Sequence, residues 1–350
     1  MSTGRHLTFW LLAALVIIFL LWLLNDVLMP FVAGFILAYL AVPLVDRLER
    51  RGVNRTVATL LIVVAVMVAL IALLLIVLPL ITQQLLLLIA SLPEQVARWR
   101  QLATDWLAWM QVGDSSLNLS EFVKQATAWL TTFAYSLWSG GKALISFASI
   151  LIIAPVVTFY LILDWHRMIG VIDSWVPVRN REEVRDIARE IDNVISGFIR
   201  GQSLVCLALG VYYALALWLV GLKFALLIGL VSGLITFVPY IGSLTGLVIA
   251  TGVAVAQFWP DWKWIGAVVA VFLVGQFIEG NILAPKLVGD RVKLHPVWII
   301  FAMLALSFLF GFVGLLLAIP IAATIAVLLR FGLKRYLASP LYAGEEPRPS

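Results

Sequence analysis

The sequence predicts an all-α polytopic membrane protein with about eight spans, some of them re-entrant or discontinuous, together with amphipathic helices outside the bilayer. Three observations carry this. Hydrophobic residues make up 63% of the 350 residues and charged ones 12%, about half the charged share of a soluble domain. Mean hydropathy is +1.06. The apolar residues fall in runs near the length of about 20 residues that a helix needs to cross the hydrocarbon core, and the polar stretches between them are too short to form a soluble domain.

Charge, cysteine and histidine content narrow the function classes. The net charge is +5, which in a soluble protein would suggest nucleic acid. Here the arginines flank apolar runs, as they do where cytoplasmic positive charge orients membrane helices, so no nucleic-acid partner is expected. The single cysteine, Cys206, lies in an apolar run, which offers neither a disulfide nor a thiolate metal site. His6, His166 and His295 stand far apart and show no metal-ligand spacing. No Gly-rich phosphate loop and no nucleophile–base pair stands out, so the expectation is no cofactor, no bound metal and no enzyme.

Residues 1–81 are expected to be N-terminal transmembrane helices. The run Leu7 to Leu24 is too long for a signal-peptide core and lacks a small-residue cleavage site. Val27 to Val45 returns across the bilayer. The loop that follows carries Arg47, Arg50, Arg51 and Arg55 and is placed in the cytoplasm, which puts the N-terminus there too. Thr56 to Leu80 crosses outward. Residues 82–142 are read as an extracytoplasmic amphipathic segment. Ser91-Leu92-Pro93-Glu94 has capping-box spacing and is expected to start one helix; Asn118-Leu119-Ser120-Glu121 is expected to start another. Their tryptophans suit either a membrane interface or two helices packed on each other.

Residues 143–163 form the next span. Residues 164–201 are the most charged part of the chain, with an arginine excess that places them inside as an amphipathic helix. Residues 202–338 are C-terminal transmembrane helices with breaks at Pro239-Tyr240-Ile241-Gly242, Trp259-Pro260-Asp261 and Gly311-Phe312-Val313-Gly314. The runs Phe224–Val238 and Val297–Phe310 are short for full spans, which makes them candidates for re-entrant or discontinuous helices. The C-terminus comes out cytoplasmic, and residues 339–350 are a polar tail expected to be disordered.

The strongest local signal is Gln276-Phe277-Ile278-Glu279-Gly280-Asn281 followed by Ile282-Leu283-Ala284-Pro285-Lys286. A carboxylate in or near a bilayer costs at least about 2.5–3.5 kcal/mol, so such a group faces a partner or a wet cavity. Glu279 is the first candidate, with Gln276 on the same helical face and Asn281 nearby, as a polar strip for a solute or an ion. The plainer alternative is an interfacial carboxylate paired with Lys286. Pro239, Tyr240 and Gly242 are the second candidate: proline removes a donor and glycine relaxes the backbone, so freed carbonyls can line a cavity, unless the segment is simply a short turn. Arg200 and Gln202 at a span entry could hold an anionic group, although a cytoplasmic arginine at a helix end needs no such role.

These motifs together resemble the autoinducer-2 exporter-like (AI-2E) transporter family of bacterial inner-membrane permease-like proteins. The resemblance rests on Pro30-x3-Gly34, Leu37-Ala38-Tyr39-Leu40 and Pro43-Leu44, on Arg200-Gly201-Gln202, and on Pro239-Tyr240-Ile241-Gly242. It continues through Glu279-Gly280-Asn281-Ile282-Leu283-x-Pro285-Lys286, Leu294-His295-Pro296 and Gly311-x2-Gly314-x3-Ala318-x-Pro320. It implies export of small molecules, such as an autoinducer-2-like signal, or sodium–proton exchange, with H+ or Na+ as coupling ion. A homo-oligomer in the bilayer is also expected. The leading expectation is an ion-coupled exporter; a non-transporting membrane scaffold in which Glu279 is structural is the alternative.

Overall fold

The computed structural model describes residues 23–109, 141–239, 241–288 and 294–338, with isolated positions at Leu12, Val16, Phe19, Leu20, Ala128 and Tyr342. Among the described residues the chain is helical, with no strand. The helices are α1 (Asn25–Glu49), α2 (Arg55–Trp109), α3 (Gly141–Trp175), α4 (Arg181–Leu219), α5 (Ala225–Ile235), α6 (Ile241–Phe258), α7 (Trp262–Ile278) and α8 (Pro296–Leu337). A π-helical segment, Glu279–Val288, continues α7. Seven stretches among the described residues are long and apolar enough to cross a membrane. The expected span Leu7 to Leu24, the helix expected from Asn118 and the tail 339–350 fall almost wholly outside the described residues.

Three expected boundaries are not made. Ser91-Leu92-Pro93-Glu94 lies inside α2, a single helix of 55 residues. Apolar residues precede Ser91 as densely as they follow it, so nothing ends the helix there, and capping-box spacing alone does not start one. The shift from apolar run to charged segment near residue 164, and the reverse shift near residue 202, are changes of composition within α3 and α4, not breaks in the backbone.

The chain divides into two compact units. The first comprises Met1–Ala65, Ser149–Gly201 and Leu287–Ser350. Within it α1 lies on α3, where the Thr158 hydroxyl donates to the carbonyls of Gly34 (3.0 Å) and Ala154 (2.7 Å). Arg55, at the start of α2, donates to Glu49 Oε2 and to the Ile162 carbonyl, each at 3.0 Å. The charged half of α4 packs an apolar seam of Val194, with Ile187 and Ile191, against Ala323 and Val327 of α8. Ion pairs flank that seam: Glu190 with Arg330 at 3.4 Å and Glu183 with Arg335 at 3.5 Å. Arg185 clasps Asp173 through two bonds of 2.8 and 2.7 Å. His295 caps α8 by accepting from the Val297 amide at 3.3 Å, with Pro296 at its first turn. The helix then breaks at Gly311 (φ 54°, ψ −136°), a conformation open essentially to glycine. Beyond it the Gly314 backbone lies directly against the Leu306 carbonyl.

The second unit comprises Val66–Ala148 and Gln202–Lys286. Its α5 has 11 residues, about 16 Å of helix, half of what a span requires. The short run anticipated as discontinuous is therefore a partial helix, followed by a turn and the 18-residue α6. Hydrogen bonds from glutamines close its ends. Gln84 Oε1 accepts from the Leu227 amide at 2.9 Å, and Gln202 Nε2 donates to the Thr236 carbonyl at 2.7 Å. Gln257 closes the turn before α5, accepting from the Lys223 amide and donating to the Gly221 carbonyl at 2.8 Å each. α4 and α5 meet backbone to backbone at Gly210 and Gly233, beside the carbonyl of the buried Cys206.

Candidate functional site

Beyond Lys263 in its first turn the helix α7 is apolar until its C-terminal end, where Gln276 is followed by Glu279. Gln276 Nε2 donates to Glu279 Oε2 at 3.0 Å, so the two share a face. Glu279 is half-buried and opens the π-helical segment. Such segments are rare and concentrate at functional sites. Pro285 lies five residues after Gly280, the π spacing, so the donor that proline lacks would have served the Gly280 carbonyl, next to Glu279.

The alternative pairing is not made: no contact within 4.0 Å joins Glu279 to Lys286, which is exposed. Asn281 uses its amide locally, donating to the Phe277 carbonyl one turn back at 3.0 Å. Gln202, Pro239 and Gly242 come together around the turn between α5 and α6. Gln202 holds the Thr236 carbonyl, and the Gly242 backbone packs onto Thr236 where a side chain would not fit. Tyr240, the remaining member of that motif, lies outside the described residues. Arg200 serves the first unit: its Nε donates to the Tyr39 carbonyl at 2.9 Å, and the Tyr39 hydroxyl donates to Asp192 at 2.9 Å. Gly201 beside it leaves room for the carbonyl of Leu287.

Two features escaped the sequence. The first is Tyr213 on α4, which is fully buried, stacks on Phe272 with ring centroids 4.7 Å apart, and leaves its hydroxyl without a hydrogen-bond partner. An unsatisfied buried hydroxyl costs about 1–3 kcal/mol. In sequence it is one of two adjacent tyrosines in an apolar run, and only the fold separates them: Tyr212 donates to the Val271 carbonyl at 3.1 Å. The second is an open cleft of about 780 Å³ in the first unit, lined by Asp46, Glu49, Arg50, Arg55, Trp165 and His166. In sequence its arginines speak only of orientation. Among the described residues no cluster of His, Cys, Asp and Glu could hold a metal ion.

The polar pair Gln276–Glu279 thus stands at the end of an apolar span, and α5 is a partial helix with a glutamine bonded at each end. The sequence model of AI-2E family transporters matches residues 10–334. YrrI of Bacillus subtilis (strain 168), named as a candidate transport protein, is 29% identical over 316 residues, covering 88% of this chain and 87% of that protein. PerM of Escherichia coli (strain K12), named as a candidate permease, is 28% identical over 314 residues and 87% of each chain. YhhT of the same strain, also named for transport, is 26% identical over 336 residues, 92% of this chain and 89% of its own. The chain is thus a multi-pass membrane protein of the transporter class, and it belongs to the AI-2E family of transporters.

Proposed function

We propose that the protein exports a small-molecule solute in exchange for protons, with Glu279 as the group that binds the proton and Gln276 as its hydrogen-bonding partner. The observation that carries this reading is a carboxylate at the end of a spanning helix, held by one amide at 3.0 Å and joined to no cation among the described residues. Without a counter-charge, a carboxylate in a poorly hydrated place favours binding a proton or a cation. The π-helical segment that opens at Glu279 and the turn at Pro239 are irregular backbone of the kind that such sites use. Glu279→Gln keeps the size and removes the charge, so in proteoliposomes containing only this protein it should abolish pH-dependent flux while membrane insertion is unchanged; Glu279→Asp should retain part of it. Wild-type flux with wild-type pH dependence in the Gln variant would overturn the assignment.

The proposal includes placement in the bacterial inner membrane with both termini cytoplasmic. Its support is internal to the first unit, where the α1–α2 loop touches α3 near Trp165, the end of α3 is clasped by α4, and α4 is paired to the end of α8. Segments assigned to the cytoplasm from their arginines are joined to one another in this way.

A further inference from the structure

The Tyr213 side chain has no evident reason to carry a hydroxyl. Its ring is fully buried and stacked on Phe272, a packing that phenylalanine would reproduce. The hydroxyl lies against Gly275, in space that any β-carbon on that residue would occupy. Gly275 immediately precedes Gln276, the side chain nearest to partnering the hydroxyl, although the pair falls short of hydrogen-bond geometry in this state; Glu279 and Tyr212 also bear on it. Tyr212 is already committed to the Val271 carbonyl. Gln276 spends its Nε2 on Glu279, which leaves its Oε1 to accept.

We propose that Tyr213 is a positioning residue of the Gln276–Glu279 pair: during the cycle its hydroxyl donates to Gln276 Oε1, which fixes the amide so that Nε2 remains directed at the Glu279 carboxylate. The inference rests on the reading of Glu279 as the proton-binding group. It accounts for three features at once: a buried donor whose approach to Gln276 falls short of hydrogen-bond geometry in this state, a glycine where α7 meets that donor, and a glutamine amide with one end engaged. An amide is the fitting bridge, because it accepts at one end and donates at the other, so a donor placed on Oε1 sets which end faces the carboxylate.

The test uses the full-length protein in proteoliposomes, comparing wild type with Tyr213→Phe, Tyr212→Phe and Glu279→Gln. Two readouts are taken: the infrared band of the Glu279 carboxyl, assigned by its loss in Glu279→Gln, and proton uptake after an imposed pH jump, read by a trapped pH dye. Thermal unfolding is followed alongside. Tyr213→Phe should unfold at or above the wild-type temperature, because an unpartnered hydroxyl is removed, yet shift the carboxyl band and slow proton uptake about tenfold, the effect of losing one hydrogen bond of ordinary strength. Tyr212→Phe should leave the band in place. A wild-type band and wild-type uptake in Tyr213→Phe, with both altered in Glu279→Gln, would overturn the inference and leave the Glu279 reading standing. Should Glu279→Gln itself change neither the pH-difference spectrum nor uptake, the Glu279 reading fails and this inference with it.

Discussion

Gln202 Nε2 donates to the Thr236 carbonyl at 2.7 Å in a place where both groups are buried. In a soluble protein the last carbonyls of a helix turn to water; in a bilayer they need a partner from the chain. Gln84 does the corresponding work at the other end of α5. Truncating Gln202 leaves the Thr236 carbonyl unpaired, so Gln202→Ala should lower stability by about 1–3 kcal/mol, measured by thermal or denaturant unfolding in detergent. Gln202→Glu should do at least as much damage, since a carboxylate would face a carbonyl oxygen. An unchanged unfolding transition in both variants would mean that the bond contributes nothing. The sequence marks Gln202 as polar and out of place but not what it holds, because its partner stands 34 residues away. Tyr213 was harder still to read: only the approach of Gly275 shows that one tyrosine of the pair is satisfied and the other is not.

Among the elements, the breaks marked by proline and glycine were legible. α5 ends before Pro239, α6 ends before Pro260, and α8 breaks at Gly311, each where a missing donor or a glycine-only backbone interrupts the helical ladder. The polar loop before Arg55 and the helix start at Arg181 were legible too, but the changes of composition near residues 164 and 202 make no break. A change from apolar to charged residues does not by itself interrupt the helical ladder where no proline intervenes, and α4 continues through 39 residues. The Gly311 conformation gives a direct test. Gly311→Ala puts a β-carbon where φ is 54° and ψ is −136°, a strain of about 1–3 kcal/mol, and Gly314→Ala drives a methyl group into the Leu306 carbonyl. Both should reduce the unfolding temperature and yield of detergent-solubilised protein, whereas Gly332→Ala, which meets open space, should not.

For the molecule as a whole, the orientation and the cohesion of the first unit can be separated experimentally. Reporter fusions at Gly113 and Asn180 should report opposite sides of the membrane, and a shared side would sink the topology. The ion pairs of α4 with α8 are exposed and of modest geometry, so Glu190→Gln should cost less than about 1 kcal/mol and high salt should matter little. The seam beneath them is apolar, and Val194→Asp, which buries a charge beside Ala323 and Val327, should prevent folding of that face outright, seen as loss of a monodisperse peak in size-exclusion chromatography. One further property follows from the seam between α4 and α5. Cys206 is the chain's single cysteine and is buried on α4, one turn before Gly210, with its carbonyl against Gly233. The unaltered protein therefore carries its own chemical clock: the rate at which a small maleimide alkylates the buried thiol measures how often the packing around this stretch of α4 opens, with no cysteine to remove or introduce.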